Sequence, residues 1–260
     1  MYLSYSFIAI YLYSVFFNSF SKGGYHPAFP ATNPWVLAVG ATVGPEASLP
    51  EVACTYNTGG LISSGGGFSN WYERPKYQDT VIEQYLLNSS GQVPLPDHTG
   101  YNKTGRAYPD ISGMIYILSV CMFLSMSSLL SNNTISFFII NFLALGHNFP
   151  TSVGGKFYLV SGTSGSTPLI AGMLTLINDQ LLLNNRSSLG FINPTLYHLY
   201  NNNNYIFHDI VKGKNNCCAA ESNPVCCQQG FNAVKGYDPI TGLGSINHGL
   251  LLEAIMNLKA

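Results

Sequence analysis

Apolar residues recur at helical spacing beyond position 168, where Ile170, Met173, Leu174, Ile177 and Leu181 fall on one face. That periodicity predicts a buried helix starting within a few residues of Ser164. Shorter periodic stretches predict a second helix over 77–87, through Val81, Ile82, Tyr85 and Leu86, and a terminal one over 247–258. Two apolar runs, 36–41 and 157–160, read as strands, the later one leading straight into the segment that carries Ser164. Strands alternating with helices favour an α/β layered fold with a mainly parallel sheet, in which ligands sit at the carboxyl ends of the strands. Residues 55–67 and 200–236, rich in Gly and Asn, read as loops.

Between the second strand and the long helix stands Ser161-Gly162-Thr163-Ser164-Gly165-Ser166-Thr167-Pro168. Gly162 permits a tight turn and a close approach of backbone to substrate, Pro168 suits a first helical turn, and the free N–H groups of a helix start face developing negative charge. Ser164 is therefore a candidate nucleophile of acyl transfer. The competing reading is an ordinary Ser/Thr helix cap.

Composition narrows the function classes. With 47% hydrophobic residues, 260 residues suffice for one α/β domain with a sizeable core. Only 9% of residues are charged and the net charge is -1, so no basic surface exists to attract nucleic acid. Asn88, Asn102, Asn132 and Asn185 head N-x-Ser/Thr sequons, which suit a glycosylated secretory protein. Cys217, Cys218, Cys226 and Cys227 form a cluster without C-x-x-C zinc spacing, so disulfides are the expected chemistry, with connectivity left open.

Several further segments carry a family resemblance, in order. They are His26-Pro27-Ala28-Phe29-Pro30-Ala31 with Trp35-Val36-Leu37-Ala38-Val39-Gly40-Ala41-Thr42, then Ser64-Gly65-Gly66-Gly67-Phe68-Ser69-Asn70, then Gly105-Arg106-Ala107-Tyr108-Pro109-Asp110. Beyond the serine segment come Leu189-Gly190-Phe191-Ile192-Asn193-Pro194, Phe207-His208-Asp209-Ile210 and Gly236-Tyr237-Asp238-Pro239-Ile240-Thr241-Gly242-Leu243-Gly244. With these the chain resembles the sedolisins, the serine-carboxyl peptidases, over most of 24–112 and 144–255. The resemblance implies a subtilisin-like sheet, incomplete here because the matched region is the C-terminal part of the catalytic domain, 23–260. It implies Ser164 as nucleophile, a peptide or protein substrate, removal of tripeptides from free N-termini at acidic pH, and a lysosomal or secreted location. An endopeptidase of the same family is the alternative, and a calcium-binding pseudopeptidase fragment is another.

The resemblance also assigns residues. Ser64, Gly65, Gly66 and Gly67 would line the substrate cleft, where glycine backbones can pair with an extended peptide; a plain flexible turn is the other reading. Ca2+ would be held by the carboxylates of Asp209 and Asp238 and the backbone carbonyls of Ile210, Val234 and Gly236, an all-oxygen shell of the kind calcium accepts. Close relatives carry glycine where Val234 stands, so that ligand requires a compatible backbone conformation. Asp110 is expected to support the fold and not the chemistry. The family base is a glutamate oriented by an aspartate on an earlier helix, with a further aspartate at the oxyanion hole. None of Glu46, Glu51, Glu73, Glu83, Glu221 and Glu253 has the matching E-x-x-x-D setting. His26, His98 and His147 lack the context of a subtilisin-type base, and His208 adjoins the calcium loop. The chain alone is expected to be inactive.

Two segments fall outside the resemblance. Residues 1–22 are an unassigned apolar stretch without the positive start or small-residue cleavage site of a signal peptide. Residues 113–143 lie in a stretch with no Asp, Glu, Lys or Arg, yet the longest apolar run, 114–130, is about 17 residues where a spanning helix needs roughly 20. A span there would also separate Asp110 from Ser164 across a membrane, so membrane insertion is not expected for 1–20 or 113–145. Removing 113–143 joins the flanks into continuous family-like sequence, and translated intron sequence is the expected origin, with a misplaced gene start accounting for 1–20.

Overall fold

Asp110 sets where the first strand begins. Its carboxylate accepts from the amide of Ala38 at 2.7 Å, and Arg106 and Asn193 donate to the carbonyl of Val36. The carbonyl of Val36 and the amide of Ala38 are thus bonded to side chains, and ladder pairing starts one step later, in β1 (Val39–Val43), all five residues of which are buried. This shifts the expected strand by about three residues. The computed structural model describes residues 25–45, 49–88, 100–113, 149–202, 204–218 and 225–258.

After β1 come β2 (Val52–Ala53), β3 (Gly67–Glu73), α1 (Asp79–Asn88), β4 (Gly105–Tyr108), β5 (Ile111–Gly113), β6 (Phe149–Val153) and β7 (Lys156–Val160). Then follow α2 (Thr163–Leu183), α3 (Asn193–Asn202), β8 (Phe207–His208), β9 (Cys217–Cys218), β10 (Val225–Cys226), β11 (Ser245–Ile246) and α4 (His248–Asn257). The main sheet runs β2-β1-β5-β11-β8, its three central strands parallel and its two borders antiparallel. The chain is therefore α/β as expected, with a parallel sheet centre. The strand order also curls round on itself: the amide of Ala53, in one border strand, donates to the carbonyl of Lys212, just beyond the other.

The helix periodicity translates directly into burial, since Ile170, Met173, Leu174, Ile177 and Leu181 are all buried along α2. They pack with Ile111 of β5, Val39 of β1 and Leu251 and Ile255 of α4 in one continuous core. α4 begins where expected, with Asn247 as N-cap accepting from the amide of Leu250. The strand expected over 157–160 forms too, but it pairs with β6 in a separate ribbon. Gly154 and Gly155, at φ 58° and 76°, make the two-residue turn that such a hairpin favours. Gly113, assigned from sequence to the inserted segment, is the last residue of β5 and pairs with Ala41. Cys217 and Cys226 form a disulfide across β9 and β10, as expected of the cluster, while Cys227 is free. No helix among the described residues is long and apolar enough to cross a membrane; residues 1–20 and 114–145 lie outside them.

Candidate active site

Ser164 is the second residue of α2 and is exposed. The N-cap is Gly162, in extended backbone and with no side-chain cap, so Ser164 is not the capping residue; the amide of Gly165 closes back onto the Gly162 carbonyl at 2.9 Å. The positive end of the helix dipole thus lies at the serine, where a tetrahedral oxyanion would form. Pro168 falls in the second turn and not the first. Lacking an N–H, it leaves the carbonyl of Ser164 without its helical partner, which loosens the backbone at that residue.

The helix start is seated on the carboxyl end of β5. A Cβ on Gly113 would come within 2.5 Å of the Ser166 Cβ, so only glycine lets the serine turn sit this low. The hydroxyls of Ser166 and Thr167 in that turn, and of Ser112 in β5, are buried without hydrogen-bond partners among the described residues. Ser164 therefore lies over the strand ends at which open α/β sheets bind ligands.

The four residues expected to line a cleft divide. Ser64 is fully buried; its Oγ accepts from Ala41 N at 3.1 Å and donates to Ile240 O at 2.8 Å, which is a structural tie. Gly66 is glycine because a Cβ would meet the carbonyl of Pro239 at 1.8 Å, and Gly67 opens β3 opposite Tyr108. Gly65 is partly exposed. The close approach that Gly66 permits is made within the protein, to the Pro239 carbonyl.

Asp110 has the supporting role expected of it. Both it and Arg106 are fully buried, and Arg106 Nη2 lies 2.5 Å from Asp110 Oδ2. Ala38 N, Tyr197 Oη at 3.0 Å, Asn193 Nδ2 at 3.3 Å and Gln78 Nε2 at 3.4 Å also donate to the carboxylate. Burial pushes the Asp110 carboxyl up and Arg106 pulls it down. With donors alone facing it, the ionised form is the one its surroundings accommodate.

The proposed calcium ligands are brought together. Asp209 Oδ2 accepts from Gly236 N at 3.0 Å, and Asp238 Oδ2 from Val234 N at 3.2 Å. Asp238 Oδ1 also accepts from the amides of Ile240 and Thr241, each at 2.9 Å. Burial pushes the Asp238 carboxyl up to about 7 and raises Asp209 as well. Neither is in an ion pair among the described residues, and each adds negative charge beside Tyr200. Two carboxylates without an ion-pair partner fit a hard divalent cation, provided backbone carbonyls complete the shell. Asn185 is the one non-glycine at positive φ among the described residues, so Val234 keeps ordinary backbone where a glycine was expected.

Of the candidate bases, His98 and His147 lie outside the described residues. His208 is committed elsewhere: its Nδ1 is 2.6 Å from Glu51 Oε2, and that hydrogen bond raises its pKa. Ser245 Oγ donates to the same oxygen at 2.9 Å. Sequence reasoning passed over Glu51, whose partners stand 157 and 194 residues away. Its only local sign is an acidic residue placed directly before a short apolar strand.

No family model matches the chain. Physarolisin of Physarum polycephalum is 32% identical over 251 residues, covering 88% of this chain and 37% of its own length. Tripeptidyl-peptidase sed1 of Aspergillus fumigatus is 34% identical over 246 residues, with coverage of 89% and 31%. Tripeptidyl-peptidase 1 of Mus musculus is 34% identical over 235 residues, with coverage of 90% and 34%. The chain thus spans about a third of the length of the curated relatives it matches. A solved structure of Pseudomonas sedolisin, a serine-carboxyl proteinase complexed with two molecules of pseudo-iodotyrostatin, shares the fold at a TM-score of 0.52 and 22% identity, over 88% of this chain and 48% of that one.

Proposed function

Because the chain belongs to the sedolisin family of serine-carboxyl peptidases, we propose that the protein it represents is a serine peptidase with Ser164 as nucleophile, releasing tripeptides from free N-termini at acidic pH. The exposed hydroxyl of Ser164 in the first turn of α2, over the carboxyl end of β5, carries this reading. A serine becomes a nucleophile when a neighbouring base takes its proton, and helix-start amides can then hold the oxyanion. The base is a glutamate supplied by sequence outside the region matched here. A carboxylate base works where carboxyl groups titrate, which accounts for the acidic range. The names of two of the relatives favour the tripeptidyl specificity over endopeptidase action. Asp209 and Asp238, with the carbonyls of Ile210, Val234 and Gly236, would hold Ca2+ and fix the turn that packs against β3.

The test is Ser164→Ala in the protein containing the complete peptidase domain. Cleavage of a tripeptide-amide substrate should fall by several orders of magnitude, as it does when a serine nucleophile is removed. Retention of the parent rate would reject Ser164. Release of internal fragments from an N-blocked protein, with no tripeptide product, would favour the endopeptidase reading instead.

A further inference from the structure

Glu51, His208 and Ser245 line a cavity of about 320 Å³, walled on its apolar side by Leu49, Pro50 and Ile246. It opens at the carboxyl ends of β1 and β11, the same end of the sheet on which Ser164 sits. The Glu51 side chain is 1% exposed. Oε2 is saturated by His208 and Ser245, whereas Oε1 is buried with no hydrogen-bond partner among the described residues.

We propose that this cavity binds a primary ammonium group carried on a short apolar stem. A buried carboxylate oxygen without a donor is costly, and a charged N–H donor satisfies it best. A guanidinium fits poorly, because its fork needs two free oxygens and one of the two is already taken twice. A metal ion fits no better, since Glu51 is the one carboxylate among the described lining residues and its Oε2 is already taken by His208 and Ser245. Leu49, Pro50 and Ile246 cover methylene or methyl groups, and the volume lies in the range of small-ligand pockets. Two sources share this chemistry, the α-amino end of a peptide and a lysine side chain. The site requires neither Ser164 nor its base, so it stands or falls apart from the peptidase reading.

Calorimetric titration of the full chain with four probes tests the site. Alanine amide offers an α-ammonium, N-acetyl-lysine amide an ε-ammonium, N-acetyl-arginine amide a guanidinium and N-acetyl-alanine amide no charge. At least one ammonium probe should bind saturably and about tenfold or more tighter than the arginine and neutral probes, the worth of a charge-assisted hydrogen bond; the tighter of the two ammonium probes identifies the source. Glu51→Gln should remove that preference. Leu49→Trp, at an exposed wall position that makes no contact with Glu51's hydrogen bonds, should block binding while leaving the melting transition in place, and it decides the matter if the glutamine variant fails to fold. Equal binding of charged and neutral probes, no binding by the folded chain, or an unaltered preference in both variants would overturn the proposal.

Discussion

Asp110 and Arg106 show how much one residue can hold. The pair is out of water, and five donors from four separated parts of the chain converge on one carboxylate. Asp110→Asn keeps the shape but leaves the guanidinium as an uncompensated buried charge, so it should cost roughly 3–5 kcal/mol, read by chemical denaturation. The calcium ligands act on the same scale. A cation that binds only the folded protein stabilises it in proportion to the logarithm of its concentration, so chelation should lower the melting temperature, and Asp238→Asn should abolish the chelator's effect. A chelator that leaves both proteins unchanged would remove calcium from the site. Residues of these two kinds were legible to different degrees. The setting of Ser164 is local, a glycine turn followed by a periodic helix, and sequence exposes it. The role of Glu51 depends on residues far along the chain, and no local pattern encodes that.

Among the elements, helices were read closely and strands less so. α2 and α4 begin within a residue or two of their expected starts, because side-chain periodicity and a cap residue mark a helix from within. Asn247→Ala should test the cap at α4, costing about 1 kcal/mol and fraying its first turn without disturbing Leu251 or Ile255 in the core; thermal melts followed by circular dichroism would measure it. Strands are defined by their neighbours, which the sequence does not name. β1 starts later than its apolar run because side chains claim the carbonyl of Val36 and the amide of Ala38, and β7 pairs in a ribbon with β6 although its composition suits a sheet strand. The 64–67 segment was expected to admit a ligand's backbone; within it, Gly66 approaches the protein's own Pro239 carbonyl and Ser64 bonds to Ile240.

For the whole molecule, the buried phenols set an alkaline limit. Burial pushes Tyr77, Tyr101 and Tyr108 up to about 12, against about 10 in an unfolded chain. Below about pH 10 both states keep their phenolic protons and the stability is whole. Between about 10 and 12 the unfolded chain releases them first, so stability falls as pH rises. Denaturant midpoints should be flat toward pH 10 and then drop, with phenolate absorbance appearing together with unfolding and not before it. The curl of the main sheet has a consequence of its own. β2 and β8 border the strand order, yet Ala53 bonds to Lys212 and Glu51 to His208, so the two borders are clasped together. A border strand ordinarily frays by itself and trades its amide hydrogens with solvent early. Here neither border can peel until the clasp opens, and the amide of Ala53 would be released to deuterium only in that shared event.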